Sequence, residues 1–421
     1  KRVPLLQVYV TFWIGFFSLI SFVPTYYLPP FLVLSIGGLD LALGKYLPLF
    51  ASIIIGLLFV SVTGSVWIAL RQILKAPLAF LLGVNLIVRL LSLFKAEYVL
   101  IGGYKWLYFG LTGPFIYLLS SQLSEAVGLR IIRSMVAVGA VVASYGILEF
   151  LLEYNPFFTD VFQEFNPYYS GPGRMSATIG NYIALGSYLA ALLPMALALT
   201  NRRRKAFGHF CTVLIAVGIL LTFSRSAWMA FGVIFAIFSL KFHRTIFKWA
   251  FQHRHEFAIG ALCFLLIVPV IGRIGGPRLE TIPGQTINAL GRMLRFDETE
   301  KFRLAQYRTS VEILIQSPVF GLGFGNFTRL FDEYKAPETP ESEVKTTDNM
   351  YLMVACEQGI AGILAFGALL TSIWWRFWQR FLHSANQDSE IMRLAFLASY
   401  SAMLVNMVFW DALNFPAIRI L

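Results

Sequence analysis

Apolar runs of about 20 residues recur along the whole chain, and this spacing limits the possible folds more than any other feature. A helix rises about 1.5 Å per residue, so about 20 residues cross the roughly 30 Å hydrocarbon core with their backbone groups bonded internally. A barrel would need shorter stretches of alternating polarity. The composition agrees: 57% of 421 residues are hydrophobic and 14% charged, more apolar surface than a soluble domain can hide. The expected fold class is all-α, a polytopic helical membrane protein.

The runs predict helices near 5–23, 46–70, 77–94, 98–119, 129–151, 180–200, 207–222, 226–241, 256–272, 349–375 and 393–411. Leu28 to Leu43 is ambiguous and would make a twelfth, short or re-entrant element. Basic clusters at Lys1-Arg2, 71–75, 130–133, Arg202 to Lys205, 241–255 and 376–380 mark the cytoplasmic side, and eleven crossings satisfy them all. The loops left outside are 24–45, 95–97, 152–179, the Ser224-Arg225-Ser226 turn and the long segment 273–348. The chain then divides into an N-terminal bundle (1–272), a large extracytoplasmic loop (273–348) and C-terminal membrane helices (349–421). Within that loop, 287–294 and 300–315 carry apolar residues at helical spacing, as expected of amphipathic helices lying over the membrane surface. Lys335 to Lys345, rich in Pro, Glu and Thr, reads as a surface loop or lid.

A formal charge of +11 follows from basic cytoplasmic loops and does not call for nucleic acid. Cys211, Cys263 and Cys356 lie in apolar runs without C-x-x-C spacing or paired His, so no metal, cofactor or disulfide is expected and they read as packing residues. Lys1-Arg2 leading into an apolar stretch reads as a signal anchor.

Four outward features carry possible chemistry. Arg225 sits in Thr222-Phe223-Ser224-Arg225-Ser226, a polar break between two spanning runs. An Arg near hydrocarbon costs about 2.5 to 3.5 kcal/mol on insertion scales, so it is expected to face a cavity, partner or substrate. Arg174 precedes a membrane helix whose backbone N–H groups would add to an anion site; the alternative is an interfacial Arg reaching for water. Arg303 and Arg308 are about 140° apart on a predicted helix, so one contacts substrate while the other pairs with an acidic neighbour, or both are solvated. Gly321-x-Gly323-x-Gly325 has no βαβ context and reads as a close-packed turn rather than a nucleotide loop. Finally, Thr347-Asp348-Asn349 begins the next membrane helix, where Asp348 or Thr347 serves as a helix cap, a catalytic group or both. Glu357 lies about 12 Å deeper by helical rise and needs a partner, for which an outer Arg is expected.

Cations, a carboxylate and a membrane-level cavity on one side suit transfer of a glycan from a lipid diphosphate to an acceptor hydroxyl. Guanidinium groups would stabilise the charge developing on the leaving diphosphate without a metal, and a carboxylate would take the hydroxyl proton.

At these residues the chain resembles the O-antigen ligase and O-antigen polymerase superfamily of bacterial envelope proteins. The resemblance rests on Gly173-Arg174-Met175-Ser176-Ala177-Thr178, Phe223-Ser224-Arg225-Ser226, Arg303 ahead of Ser317-Pro318-Val319-Phe320-Gly321-Leu322-Gly323-Phe324-Gly325, and Asp348-Asn349-Met350-Tyr351-Leu352 before Glu357-Gln358-Gly359. It implies a GT-C-like bundle in the bacterial inner membrane that performs a metal-independent, inverting transfer on the outer face. The donor would be an undecaprenyl-diphosphate-linked glycan and the acceptor a glycan or lipid. The candidate catalytic residues are Asp348 and Arg225. The candidate substrate contacts are Arg174, Arg225, Arg303, Arg308, Asn349, Tyr351 and Glu357. Ligases usually carry His where this chain has Asp348, which leaves ligase and polymerase both open. A transporter or flippase for an anionic lipid-linked glycan is the alternative from another class; the lack of an internal repeat and the polar mass at one face favour an enzyme. A cytosol-facing nucleotide-sugar transferase ranks lower, because no Asp-x-Asp stands on the cytoplasmic side.

Overall fold

The structure is a computed structural model and describes residues 33–36, 39–42, 71, 77–103, 105–107, 125–152, 154–155, 174–200, 205–252, 298–335, 347–383 and 387–410. In chain order these form strands β1 (Val33–Ile36) and β2 (Leu39–Ala42), then helices α1 (Pro77–Leu93), α2 (Glu125–Leu152), a 3-10 turn (Ala177–Ile179), α3 (Tyr182–Leu199), α4 (Lys205–Leu221) and α5 (Arg225–Gln252). They continue with α6 (Glu298–Gln316), α7 (Phe327–Tyr334), α8 (Met350–Leu382) and α9 (Gln387–Phe409). The chain is an all-α membrane protein. Among the described residues five helical stretches are long and apolar enough to cross a membrane: Glu125–Leu152, Tyr182–Leu199, Arg225–Phe242, Met350–Leu382 and Ser389–Phe409. Helices α1 and α4 are shorter and equally apolar. The expected helices at 5–23, 46–70, most of 98–119 and 256–272 lie outside the described residues, as do Cys263, the stretch 287–294 and all but Lys335 of the expected surface loop Lys335 to Lys345.

Leu28 to Leu43 differs from expectation. It contains a hairpin rather than a helix, with β1 and β2 antiparallel and Val33 opposite Ala42, Ile36 opposite Leu39. Gly37-Gly38 stands between the two strands in the sequence, the pair that a tight two-residue connection favours.

The chain divides into two compact units, one of residues 1–138, 298–383 and 407–421, the other of 139–297 and 384–406. In the first, α8 is the central post, with α1 and α6 packed along it. Its core gathers Ile313 of α6, Phe327, Leu330 and Phe331 of α7, and Met353 and Cys356 of α8. Helix α6 buries Gln306, Thr309 and Ser310 and exposes Leu304, Val311 and Ile315. Thr309 and Ser310 can be buried because their hydroxyls donate to the carbonyls of Ala305 and Gln306, one turn back. The small Ser310 then lets Cys356 approach, its thiol donating to the Ser310 carbonyl at 3.5 Å. The exposed face is mixed rather than the apolar face expected of an amphipathic surface helix, since Arg308 and Glu312 stand among Leu304, Val311 and Ile315.

In the second unit α3 is the central post, packed by α4 and α5. Helix α3 starts at Asn181, whose Oδ1 accepts from the N–H groups of Ile183 and Ala184 at 2.9 and 3.0 Å. Gly186 lets the start of α5 come close, since a Cβ there would stand 2.5 Å from that of Ala227. Helix α9 is tied to α3 by the Ser399 hydroxyl, which donates to the Ala191 carbonyl at 2.6 Å. Cys211 here and Cys356 in the first unit are buried free thiols.

Candidate active site

The second unit carries Arg174 and Arg225 on two neighbouring loops. Helix α4 ends at Leu221 and α5 begins at Arg225, so the polar break seen in the sequence is a three-residue turn. Thr222, Ser224 and Ser226 are buried, and their hydroxyls are used locally: Thr222 donates to the Ile219 carbonyl at 2.7 Å, and Ser224 and Ser226 share a bond at 3.0 Å. With its neighbours turned inward, Arg225 stays partly exposed. The Met175 N–H donates to the Leu221 carbonyl at 3.2 Å, which joins the Arg174 loop to the Arg225 turn across about 50 residues of sequence. Arg174 lies over the ring of Tyr182 with its guanidinium carbon 4.4 Å from the ring centre.

At the helix N-terminus beside Arg174, two of the expected donors are already in use. Those of Ile183 and Ala184 go to Asn181, and the N–H groups of Ser176 and Ala177 go to a carboxylate, Glu149. An anion bound here would meet guanidinium groups rather than that backbone.

The first unit brings Arg303 and Asp348 together. Nε of Arg303 on α6 donates to Oδ2 of Asp348 at 3.3 Å, with both side chains mostly buried. The helix cap is neither Thr347 nor Asp348. It is Asn349, whose Oδ1 accepts from Tyr351 N–H at 2.9 Å and Leu352 N–H at 3.1 Å, while Thr347 bonds the Asn349 backbone. Only the residue with extended backbone directly before the first turn can reach those donors, and Asn349 holds that position at φ −157. Asp348, at φ 45, is turned away from capping and toward Arg303. Tyr351 packs tilted against Phe366, and Arg308 stands exposed on another face of α6 from Arg303.

Glu357 is buried and accepts from the N–H of Phe327, the first residue of α7, at 3.4 Å, so among the described residues a helix start rather than an Arg is its partner. Beside it α8 breaks at Gly359, φ 64. An unbroken helix would bond Ile360 N–H to Cys356 O and Ala361 N–H to Glu357 O. Here Ile360 and Ala361 donate to the carbonyls of Pro318 and Val319 at 2.8 and 3.3 Å. The freed carbonyls of Cys356 and Glu357 accept from Leu322 and Gly323 at 2.8 and 3.1 Å. The break leaves none of these four groups unpaired, as a buried break in a membrane helix requires. The glycine-rich segment is therefore a close-packed turn: a Cβ on Gly321 would stand 2.2 Å from the Cys356 carbonyl oxygen.

Two ionisable residues inside apolar runs escaped the sequence reading. Arg89 on α1 is buried, 5.0 Å from the ring centre of Phe324 in the glycine turn, next to Ser92, whose hydroxyl oxygen accepts from Phe324 N–H at 3.1 Å. Glu149 on α2 holds the Arg174 loop. The rule that singled out Arg225, a charge inside a spanning run, would have found both.

Backbone strain marks the same places. Among the described residues the non-glycines with positive φ are Ala177 at 49°, Phe223 at 48° and Asp348 at 45°. They stand in the Arg174 loop, in the Arg225 turn and at the Arg303 ion pair. Such conformations cost on the order of 1–3 kcal/mol each and cluster at functional sites.

Residues 210–367 match the family described as O-Antigen ligase. The matched stretch contains Arg225, Arg303, Asp348 and Glu357 and begins after Arg174. No curated protein matches the chain.

Proposed function

We propose, from the match of residues 210–367 to the O-antigen ligase family, that this chain transfers a glycan from a polyprenyl diphosphate to an acceptor hydroxyl. The proposed setting, from the family match, is the bacterial inner membrane, and the charge pattern of the loops supports a reaction at its extracytoplasmic face. Undecaprenyl diphosphate is the proposed lipid carrier.

In this reading Arg174 and Arg225 hold the diphosphate by charge-assisted hydrogen bonds. The acceptor oxygen attacks the anomeric carbon from the face opposite the diphosphate and the configuration inverts. The carbon–oxygen bond to phosphate breaks, and its electron pair leaves with the polyprenyl diphosphate. Guanidinium groups already in place stabilise that charge with little reorganisation, so no metal is needed. The hydroxyl proton passes to Asp348, which Arg303 holds in orientation. Asn349, Tyr351 and Glu357 shape the glycan side, and Arg308 offers a further cation.

The observation that carries this reading is the coincidence of strain and charge: Ala177, Phe223 and Asp348 hold positive φ in the segments that bear Arg174, Arg225 and the Arg303 pair. Strain of that kind is retained where a side chain must be held in one direction. The test is glycan transfer by purified protein in nanodiscs, from a polyprenyl-diphosphate oligosaccharide to candidate glycan and lipid acceptors. New product that disappears in Arg225→Ala supports the reading. Arg225-dependent binding of the lipid diphosphate with no product for any acceptor favours a transporter.

A further inference from the structure

We infer that Glu149 is a positioning residue for donor recognition, and that it acts with Phe150 as a strut setting the directions of Arg174 and Arg225; the inference rests on the reading above. Glu149 lies in the apolar stretch Leu148-Glu149-Phe150-Leu151 and is 3% exposed. A carboxylate so buried is tolerated only when its oxygens are bonded. Oε2 accepts from the N–H groups of Ser176 at 3.1 Å and Ala177 at 2.6 Å, and Oε1 accepts from the Ser176 hydroxyl at 2.7 Å. The carboxylate thus occupies a small anion nest in the backbone and holds Ala177 at φ 49. Asn155 secures the other side of that residue, its Nδ2 donating to the Ala177 carbonyl at 3.0 Å.

The next residue does the same for the second loop. Phe150 packs tilted against Phe223 with ring centres 6.1 Å apart, and Phe223 is the strained residue two positions before Arg225. Trp228 closes on the far side of Phe223, again at 6.1 Å. Adjacent residues of α2 therefore grip one strained residue in each arginine loop, and the Met175 to Leu221 bond ties the loops between them. A diphosphate presents two anionic groups at a fixed separation, so two guanidinium groups bind it together only if the loops keep their spacing.

The test is donor affinity, measured with a polyprenyl diphosphate in nanodiscs, alongside steady-state kinetics and thermal unfolding. Glu149→Gln removes the charge from the nest and leaves its new amide donor to be met only by a reoriented Ser176 hydroxyl. It is expected to weaken donor binding about tenfold or more while the acceptor KM stays within about threefold. Adding Ala177→Gly should restore donor binding to within about threefold of wild type, because glycine holds positive φ without the carboxylate. A residue that only supports folding would not be rescued this way. If Glu149→Gln does not fold, Phe150→Leu keeps the apolar bulk, loses the ring contact and is expected to weaken donor binding with the same selectivity.

Unchanged donor binding in Glu149→Gln, or in Phe150→Leu where Glu149→Gln does not fold, overturns the inference. So does a parallel loss of donor and acceptor affinity that Ala177→Gly does not correct. If wild type binds no polyprenyl diphosphate in an Arg225-dependent way, the functional reading itself falls and takes this inference with it.

Discussion

Arg303 reaches Asp348 through Nε, at 3.3 Å from Oδ2, and this ion pair joins two helix segments 45 residues apart. Because the cap of α8 is Asn349, the Asp348 carboxylate is not the group that caps the helix. Its removal should therefore be felt in chemistry more than in folding. Asp348→Asn is expected to lower kcat by about 10² to 10⁴-fold, the usual contribution of a general base, with donor affinity kept. Single-turnover kinetics beside a donor-binding isotherm check this, and full activity in Asp348→Asn would remove the residue as base.

Arg225 is expected not to tolerate Lys. A Lys keeps the charge but loses the planar fork that bonds two phosphate oxygens at once. Arg225→Lys should recover less than about a tenth of the donor affinity lost in Arg225→Ala, roughly the value of one charge-assisted bond. Titration of both variants with the lipid diphosphate decides it, and a Lys variant equal to wild type would mean that charge alone is read.

Asn349→Ala removes the acceptor for two backbone donors and should destabilise the protein by about 1 kcal/mol, whereas Asn349→Asp keeps the cap. Unfolding of the two variants in detergent should rank Asp above Ala. Equal loss in both would show that Asn349 serves through its amide nitrogen instead.

Two glycines of α8 should respond in opposite directions. At Gly359 a Cβ would stand 2.4 Å from backbone atoms of Val319, and φ is 64, so Gly359→Ala should cost on the order of 1–3 kcal/mol or more. At Gly367 nothing lies within 4 Å of a built Cβ, so Gly367→Ala should gain about 0.5–1 kcal/mol from helix propensity. Thermal unfolding of the pair is the check, and a stable Gly359→Ala would contradict the break in α8.

Among the described residues the helices were legible wherever one apolar run stood alone, and so was the turn at Arg225, since a polar break between two such runs has few other meanings. Arg89 and Glu149 were passed over, because a single charge within about 20 apolar residues leaves the hydrophobic pattern intact and only the cost of burying it marks the position. The cap of α8 was blurred for another reason. Thr347, Asp348 and Asn349 are all good capping types, and only backbone geometry distinguishes them. The glycine turn could be recognised as a close approach, but its partner could not. The break at Gly359 depends on hydrogen bonds across about 40 residues, and local propensity carries no trace of them.

That exchange of hydrogen bonds also bears on how the protein is made. A nascent α8 that met hydrocarbon alone with its break already formed would carry two bare carbonyls and two bare N–H groups, each costing several kcal/mol. Their partners, Pro318 to Gly323, precede α8 in the chain and have already left the ribosome when Gly359 emerges. The break itself is therefore expected to form only once the turn is beside it; until then the same four groups can pair within an unbroken helix.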